Sequence, residues 1–170
     1  YPAKIFQLWT KAEKEAIGLY EVVTDSSNFK DEEYYFNTNE QYNFANGQVT
    51  RSWGTATAKE LDDEYNDNDK LVSYGLKSKK KNIIKQQAQG LLNKTDWYVI
   101  KASEVESYSV PEEITQYRAD VRAKSNEMET AIDNATDVDA LATLYAYVNT
   151  GTEENPVIER PLGEFPILED

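Results

Sequence analysis

The chain has 170 residues, room for one ordinary domain or a small domain with a helical extension, but not for two full ones. Thirty-one acidic against eighteen basic residues give a formal net charge of −13, which repels phosphate backbones and argues against a nucleic-acid partner. The absence of Cys and His removes the common zinc sites, thiol nucleophiles, Ser-His-Asp triads, imidazole acid–base chemistry and disulfide stapling.

Residues 1–9, YPAKIFQLW, alternate well enough to predict a strand, with Ala3 and Ile5 on one side and Phe6 and Leu8 on the other. Thr10-Lys11-Ala12-Glu13 is a capping box, so a short helix starts there, and Gly18 supplies the left-handed residue that ends it. Residues 19–24 are β-branched and predict another strand. Over residues 31–57 the spacing is that of an antiparallel meander. Asn46-Gly47 sits at its centre, where a two-residue turn needs positive φ twice, and Phe44 and Val49 face each other across it. Residues 1–60 therefore read as an antiparallel β module with edge strands left for pairing.

Residues 61–74 are acidic and turn-rich. A calcium loop starting at Asp62 would place Asp67 where the sharp turn needs Gly and Ser73 where the last ligand must be Glu, so the segment reads as a hydrated linker. Residues 75–93 return to helix, with Ile83, Ile84, Ala88, Leu91 and Leu92 on one stripe. The basic knot of Lys77, Lys79, Lys80 and Lys81 reads as a solvated face of that helix. Thr95-Asp96-Trp97 predicts a turn, and Trp97, Tyr98, Val99 and Ile100 a short extended segment. Pro111 opens a long helix with Glu112 and Glu113 in its first turn, where carboxylates favour the macrodipole.

Along that helix Ile114, Tyr117, Val121, Met128, Ala131 and Ala135 form a three-four seam interrupted by Lys124. A bend or break is expected between Asn126 and Thr136, and Thr136-Asp137-Val138-Asp139 starts a further helix. Arg118 and Arg122 are expected to pair at the surface with Glu113, Glu129 or Asp120. Residues 75–150 thus form a helical region. The tail, 151–170, carries Pro156, Pro161 and Pro166 at even spacing, so it runs extended. Its apolar residues either dock on their own domain or strap a neighbour.

The expected fold class is α+β, an N-terminal antiparallel β meander and hairpin module followed by a helical C-terminal region with an extended Pro-containing tail. No carboxylate pair is marked for acid–base work and no glycine run matches a phosphate loop, so the chain reads as no enzyme, with no cofactor, metal or catalytic residue. No apolar run of about eighteen residues predicts a membrane span. What stands out is aromatic: twelve Tyr and three Trp. Such rings serve carbohydrate stacking or protein interfaces, and the interface is preferred because polar partners for a sugar are not localised.

Residues 91–132, LLNKTDWYVIKASEVESYSVPEEITQYRADVRAKSNEMETAI, resemble the C-terminal motif of small tail-fibre assembly and tail-associated proteins of tailed bacteriophages. The landmarks are Leu91, Leu92, Thr95, Asp96, Trp97, Pro111, Glu112, Tyr117, Arg118 and Arg122. The run Ala16 to Val22 and the Asp-Glu-Glu-Tyr-Tyr strand look like the β portion that precedes such motifs. The resemblance implies a structural protein of the virion tail region, assembled in the host cytoplasm, with other phage tail or fibre proteins, and copies of itself, as partners. The helical stretch after Ser125 and the proline-spaced tail exceed a simple fibre chaperone and favour a retained part. Alternatives are a fibre-assembly chaperone that leaves after trimerisation and a host adhesin that stacks sugars. Contact residues are expected to be Trp97, Tyr117, Val121, Met128, Phe165 and Ile167.

Overall fold

A computed structural model describes residues 2–168; Tyr1 of the expected first strand and the last two residues of the tail lie outside the described residues. The elements, in order, are α1 (Ala3–Leu8), α2 (Lys11–Ala16), β1 (Val22–Thr24), β2 (Tyr35–Phe36), β3 (Gln41–Ala45), β4 (Gln48–Ser52), β5 (Thr57–Ala58), β6 (Glu64–Tyr65) and β7 (Leu71–Ser73). There follow α3 (Leu76–Asn93), α4 (Asp96–Glu104), α5 (Glu112–Asp133), α6 (Val138–Tyr145), β8 (Val148–Asn149) and β9 (Ile158–Glu159). The class is α+β, as expected, with most of the strands ahead of the long helices, although two short helices precede them and the β8–β9 pair follows. Contacts divide the chain into two compact units, Tyr1–Lys59 and Glu60–Asp170.

In the first unit the capping box closes as its residues require. The Glu13 amide donates to the Thr10 hydroxyl at 3.3 Å, and the Thr10 amide to the Glu13 carboxylate at 2.8 Å. Residues 3–8 correct the expected strand: they form a helix, with Ile5 its buried residue. Ala, Lys, Gln and Leu are good helix formers, and a helix pairs its own amides where no neighbouring strand is at hand. The hairpin forms with Phe44 opposite Val49, and Asn46 and Gly47 take φ of 53° and 75°. One pairing departs from a meander: β1 lies parallel to β4, Val22 beside Val49, giving the sheet order β1-β4-β3. β2 and β5 pair separately.

The second unit begins with the segment expected as a hydrated linker, which instead carries the β6–β7 hairpin and caps α3. The Leu76 and Lys77 amides donate to the carbonyls of Glu60 and Leu61 at 2.9 and 3.0 Å. Asp63 accepts from the Gly75 amide at 2.8 Å and from the Ser78 hydroxyl at 2.9 Å, so a carboxylate meets the positive end of the helix. Gly75 is required by close approach, since a Cβ there would fall 2.3 Å from the Asp62 backbone.

The core of this unit lies where α3 packs against α5. Ile84, Val121, Met128, Ile132 and Leu141 are fully buried. α5 ends at Asp133, with Asn134 its C-cap, inside the stretch where a bend or break is expected. Its seam is Ile114, Tyr117, Val121, Ser125, Met128 and Ile132, so Ser125 and Ile132 take the inward positions assigned in sequence to Lys124 and Ala131. The Ser125 hydroxyl donates to Glu129 at 3.2 Å, which lets a polar residue sit on the seam without a break. Asp137 caps α6, accepting from the Ala140 amide at 2.7 Å.

Two further expectations are corrected here. Residues 96–104 form α4 rather than an extended segment. β-branched and aromatic residues favour strands only where a partner strand receives them. The basic knot is not a uniform solvated face: Lys77 pairs with Asp62 at 3.1 Å and Lys81 with Asp133 at 2.6 Å. Lys80 is buried with its ammonium 4.1 Å from the centre of the Tyr145 ring.

The tail docks on its own unit. β9 pairs with β8, Leu162 is buried and donates its amide to the Leu144 carbonyl at 3.0 Å, and Phe165 packs on Ala88, Tyr117 and Val121.

Candidate interaction surfaces

Of the six residues expected at contacts, three are interior. Val121 and Met128 are fully buried and Tyr117 nearly so, filling the α3–α5 seam, and no partner can reach them without opening the unit. Phe165 is half-buried on that same core. A three-four apolar spacing is the same for a helix facing another chain and one facing its own neighbour, and here α3 provides the neighbour. Two remain open: Trp97 is 51% exposed and Ile167 87%.

Trp97 stands on the outer side of α4 with Ile100 one turn on, also exposed. Its ring lies 3.9 Å from that of Tyr98, and the Lys101 ammonium is 5.7 Å from the Trp97 ring centre. An exposed indole beside a neighbouring ring and a cation presents an apolar plate with a polar rim, a form that suits protein contacts.

Arg118 is the organising cation beneath this helix. Its guanidinium donates to the Leu92 carbonyl at 2.8 Å and the Thr95 hydroxyl at 2.7 Å, and lies 2.9 Å from the Asp96 carboxylate. The surface partners expected for it, Glu113, Glu129 and Asp120, are not those it takes. Arg122 donates to the Arg118 carbonyl at 3.1 Å. A shallow groove between α3 and α5 is lined by Lys85, Ala88, Leu92, Arg118 and Arg122. Of its cations, Arg118 is turned onto the corner and Lys85 reaches Glu129 at 3.3 Å.

In the first unit the register places Val22, Val49 and Phe44 in one row across the sheet, with Thr24, Arg51 and Tyr42 in the next. Tyr42 is 61% and Phe44 55% exposed, and the Tyr20 ring lies 4.5 Å from that of Phe44. The Tyr42 hydroxyl donates to Glu40 at 2.7 Å, and Arg51 donates to the same carboxylate at 2.7 Å. The Tyr42 hydrogen bond first, and that from Arg51 second, hold the Glu40 carboxyl below its ordinary range, while the same bond raises the Tyr42 phenol. The aromatic alternation of QYNFA was legible in sequence, but not that this face stays open.

A hollow nearby is lined by Thr24, Phe29, Glu32, Asn37, Arg51 and Trp53, the kind of mixed setting in which sugars stack. The Trp53 ring is already engaged, with the Arg51 guanidinium 4.5 Å and the Phe29 ring 4.7 Å from its centre. Among the described residues no group of three or more Asp or Glu is placed to hold a metal ion, and no helix is long and apolar enough to cross a membrane.

The fold and these surfaces define an α+β protein whose accessible features are aromatic and apolar faces on two compact units. No protein-family model, no curated protein and no solved structure matches the chain.

Proposed function

We propose that this chain is a non-enzymatic structural component of a tailed-phage virion, attached to the tail, baseplate or tail fibres through protein–protein contacts. The observation that carries the reading is the aromatic and apolar surface that the chain leaves open on both units: Tyr42 and Phe44 on the sheet, Trp97 and Ile100 on α4, and Ile167 on the tail. Exposed rings on a chain of net charge −13 gain free energy by burial against a neighbour, while the acidic remainder limits indiscriminate adhesion.

The resemblance to tail-associated proteins supports the same reading and has a physical counterpart. Four of its landmarks, Leu92, Thr95, Asp96 and Arg118, form one hydrogen-bonded corner that holds Trp97 at the surface. On this reading the chain is assembled in the host cytoplasm and resides in the tail region of the particle, with tail or fibre proteins as its neighbours.

The test is quantitative mass spectrometry of purified particles of the phage that encodes the chain. The expected result is a copy number in fixed ratio to a tail protein, retained through gradient purification. Recovery with fibre protein in the lysate and absence from particles would instead identify an assembly chaperone. A glycan array silent for wild type speaks against the adhesin reading, and sugar binding lost in Trp53→Ala would replace the present proposal with it.

A further inference from the structure

The outer edge of β3 is built to pair. In a hairpin closed by a two-residue turn the flanking residues, Ala45 and Gln48, exchange both backbone hydrogen bonds, and the pattern then alternates. Asn43 and Gln41 therefore bond across to β4, while the amides and carbonyls of Tyr42 and Phe44 point away from it. The phase is confirmed on the other side of the sheet, where the Arg51 carbonyl, opposite Tyr42, turns outward and accepts from the Asp25 amide at 2.8 Å. Among the described residues no further strand follows β3 in this sheet.

Natural edge strands are usually guarded by a charge, a proline, a bulge or a covering segment. Gln41-Tyr42-Asn43-Phe44-Ala45 has none of these among the described residues: its five residues are uncharged, exposed and in continuous register. This is an unusual gap in a chain of which 29% is charged.

The geometry points to a second copy of this chain as the occupant, added antiparallel along β3 about a two-fold axis through Asn43. In that register Tyr42 lies opposite Phe44 of the second copy, and Phe44 opposite its Tyr42. Both pairs fall at outward-facing positions, so four backbone hydrogen bonds form and every outward group of the two residues is used. Each exposed ring then faces a ring across the strands, the arrangement in which aromatic cross-strand pairs stabilise a sheet. Two three-stranded sheets become one of six strands.

Net charge opposes a second copy over most of the surface but not along this strand. Two bodies of net charge −13 repel over most of their surfaces. Along β3 that repulsion is locally removed, because the strand is neutral and the carboxylate next to it in sequence, Glu40, is paired with Arg51 at 2.7 Å. The two-fold also consumes both β3 edges, so the pairing closes at a dimer instead of propagating. The inference concerns the first unit alone and stands whether or not the chain resides in a virion.

The full chain tests it directly, since it has no cysteine of its own. An Asn43→Cys chain places two thiols across a non-hydrogen-bonded pair, with Cα atoms about 4.5 Å apart, inside the span a disulfide needs. Mild oxidation is expected to cross-link it on the order of ten times faster than a Thr55→Cys chain, whose cysteine is also exposed but lies off the edge. Sedimentation is expected to show wild type as a dimer that dissociates on dilution.

Tyr42→Lys/Phe44→Lys and Tyr42→Glu/Phe44→Glu chains should each be monomeric and should pair with one another when mixed, which also shows that both fold. A monomeric wild type at about 1 mM, equal cross-linking of the two cysteine chains, or charge variants that keep the dimer mass would each overturn the proposal.

Discussion

Arg118 on α5 lies 2.9 Å from Asp96 in the first turn of α4, and through the Thr95 hydroxyl and the Leu92 carbonyl it also holds the end of α3. Three helices thus meet on one guanidinium. Thr95 is 1% exposed, and its hydroxyl also donates to the Leu92 carbonyl at 2.9 Å, so these two groups stay bonded to each other if the cation is removed.

Arg118→Met is therefore expected to cost about 1.5–3 kcal/mol, from the loss of its charge-assisted hydrogen bonds to the Leu92 carbonyl and the Thr95 hydroxyl. Asp96→Asn should cost under about 1 kcal/mol, since that carboxylate is half exposed and screened. Urea denaturation of the two variants checks the contrast. Equal losses would mean that the surface ion pair, and not the buried hydrogen bonds, holds the corner.

The burial pattern divides the six expected contact residues by energetic role. Met128→Ala removes a fully buried side chain and should cost about 2–5 kcal/mol of stability. Trp97→Ala and Ile167→Ala should stay within about 0.5 kcal/mol in the isolated chain and show their effect only in binding. Denaturation of each variant, beside its co-purification with particles, separates the two roles. A Trp97→Ala chain as unstable as Met128→Ala would place that indole in the core.

Gly75→Ala is expected to be costly out of proportion to one methyl group. The new Cβ would meet the Asp62 backbone, which cannot swing aside as a side chain would, so the cap of α3 must shift at about 1–3 kcal/mol. Asp63→Ala loses the carboxylate that caps Gly75 and Ser78, at about 1 kcal/mol. Thermal melting followed by helical circular dichroism reads both, and an unchanged midpoint in Gly75→Ala would show that the approach relaxes freely.

Two ion pairs give opposite pH signs. Glu40 is held below its ordinary value of 4.5, so the stabilisation from its Tyr42 and Arg51 hydrogen bonds is complete above that value and lost as pH falls through the lower folded value. Lys81 is raised above 10.5, chiefly by its bond to Asp133; its contribution is complete below 10.5 and lost as pH rises through the folded value. Hairpin amide shifts followed from about pH 6 to 3 should move in wild type and lose that step in Glu40→Gln. A step that survives the substitution would have another source.

Local chemistry was readable wherever a short-range rule has one outcome. The Thr10–Glu13 box, the Asn46-Gly47 turn with Phe44 opposite Val49, the start of the long helix after Pro111 and the Asp137 cap each depend on residues within a few positions of one another. The α+β class follows from these signals in sum.

What the sequence alone could not decide was where each apolar or charged face would find its partner. Tyr117, Val121 and Met128 have the spacing of a contact stripe, and only α3 packed against them makes it a core. The Trp97 segment has strand-like residues and residues 3–8 a strand-like alternation, yet both became helices, because an unpaired strand leaves its amides unsatisfied. Arg118 was expected to pair with carboxylates of its own helix and bonded instead to Thr95 and Asp96, brought near by the turn between α3 and α4. Spacing along the chain sets which residues share a face; what that face meets is a long-range matter, settled by packing and hydrogen bonding in three dimensions.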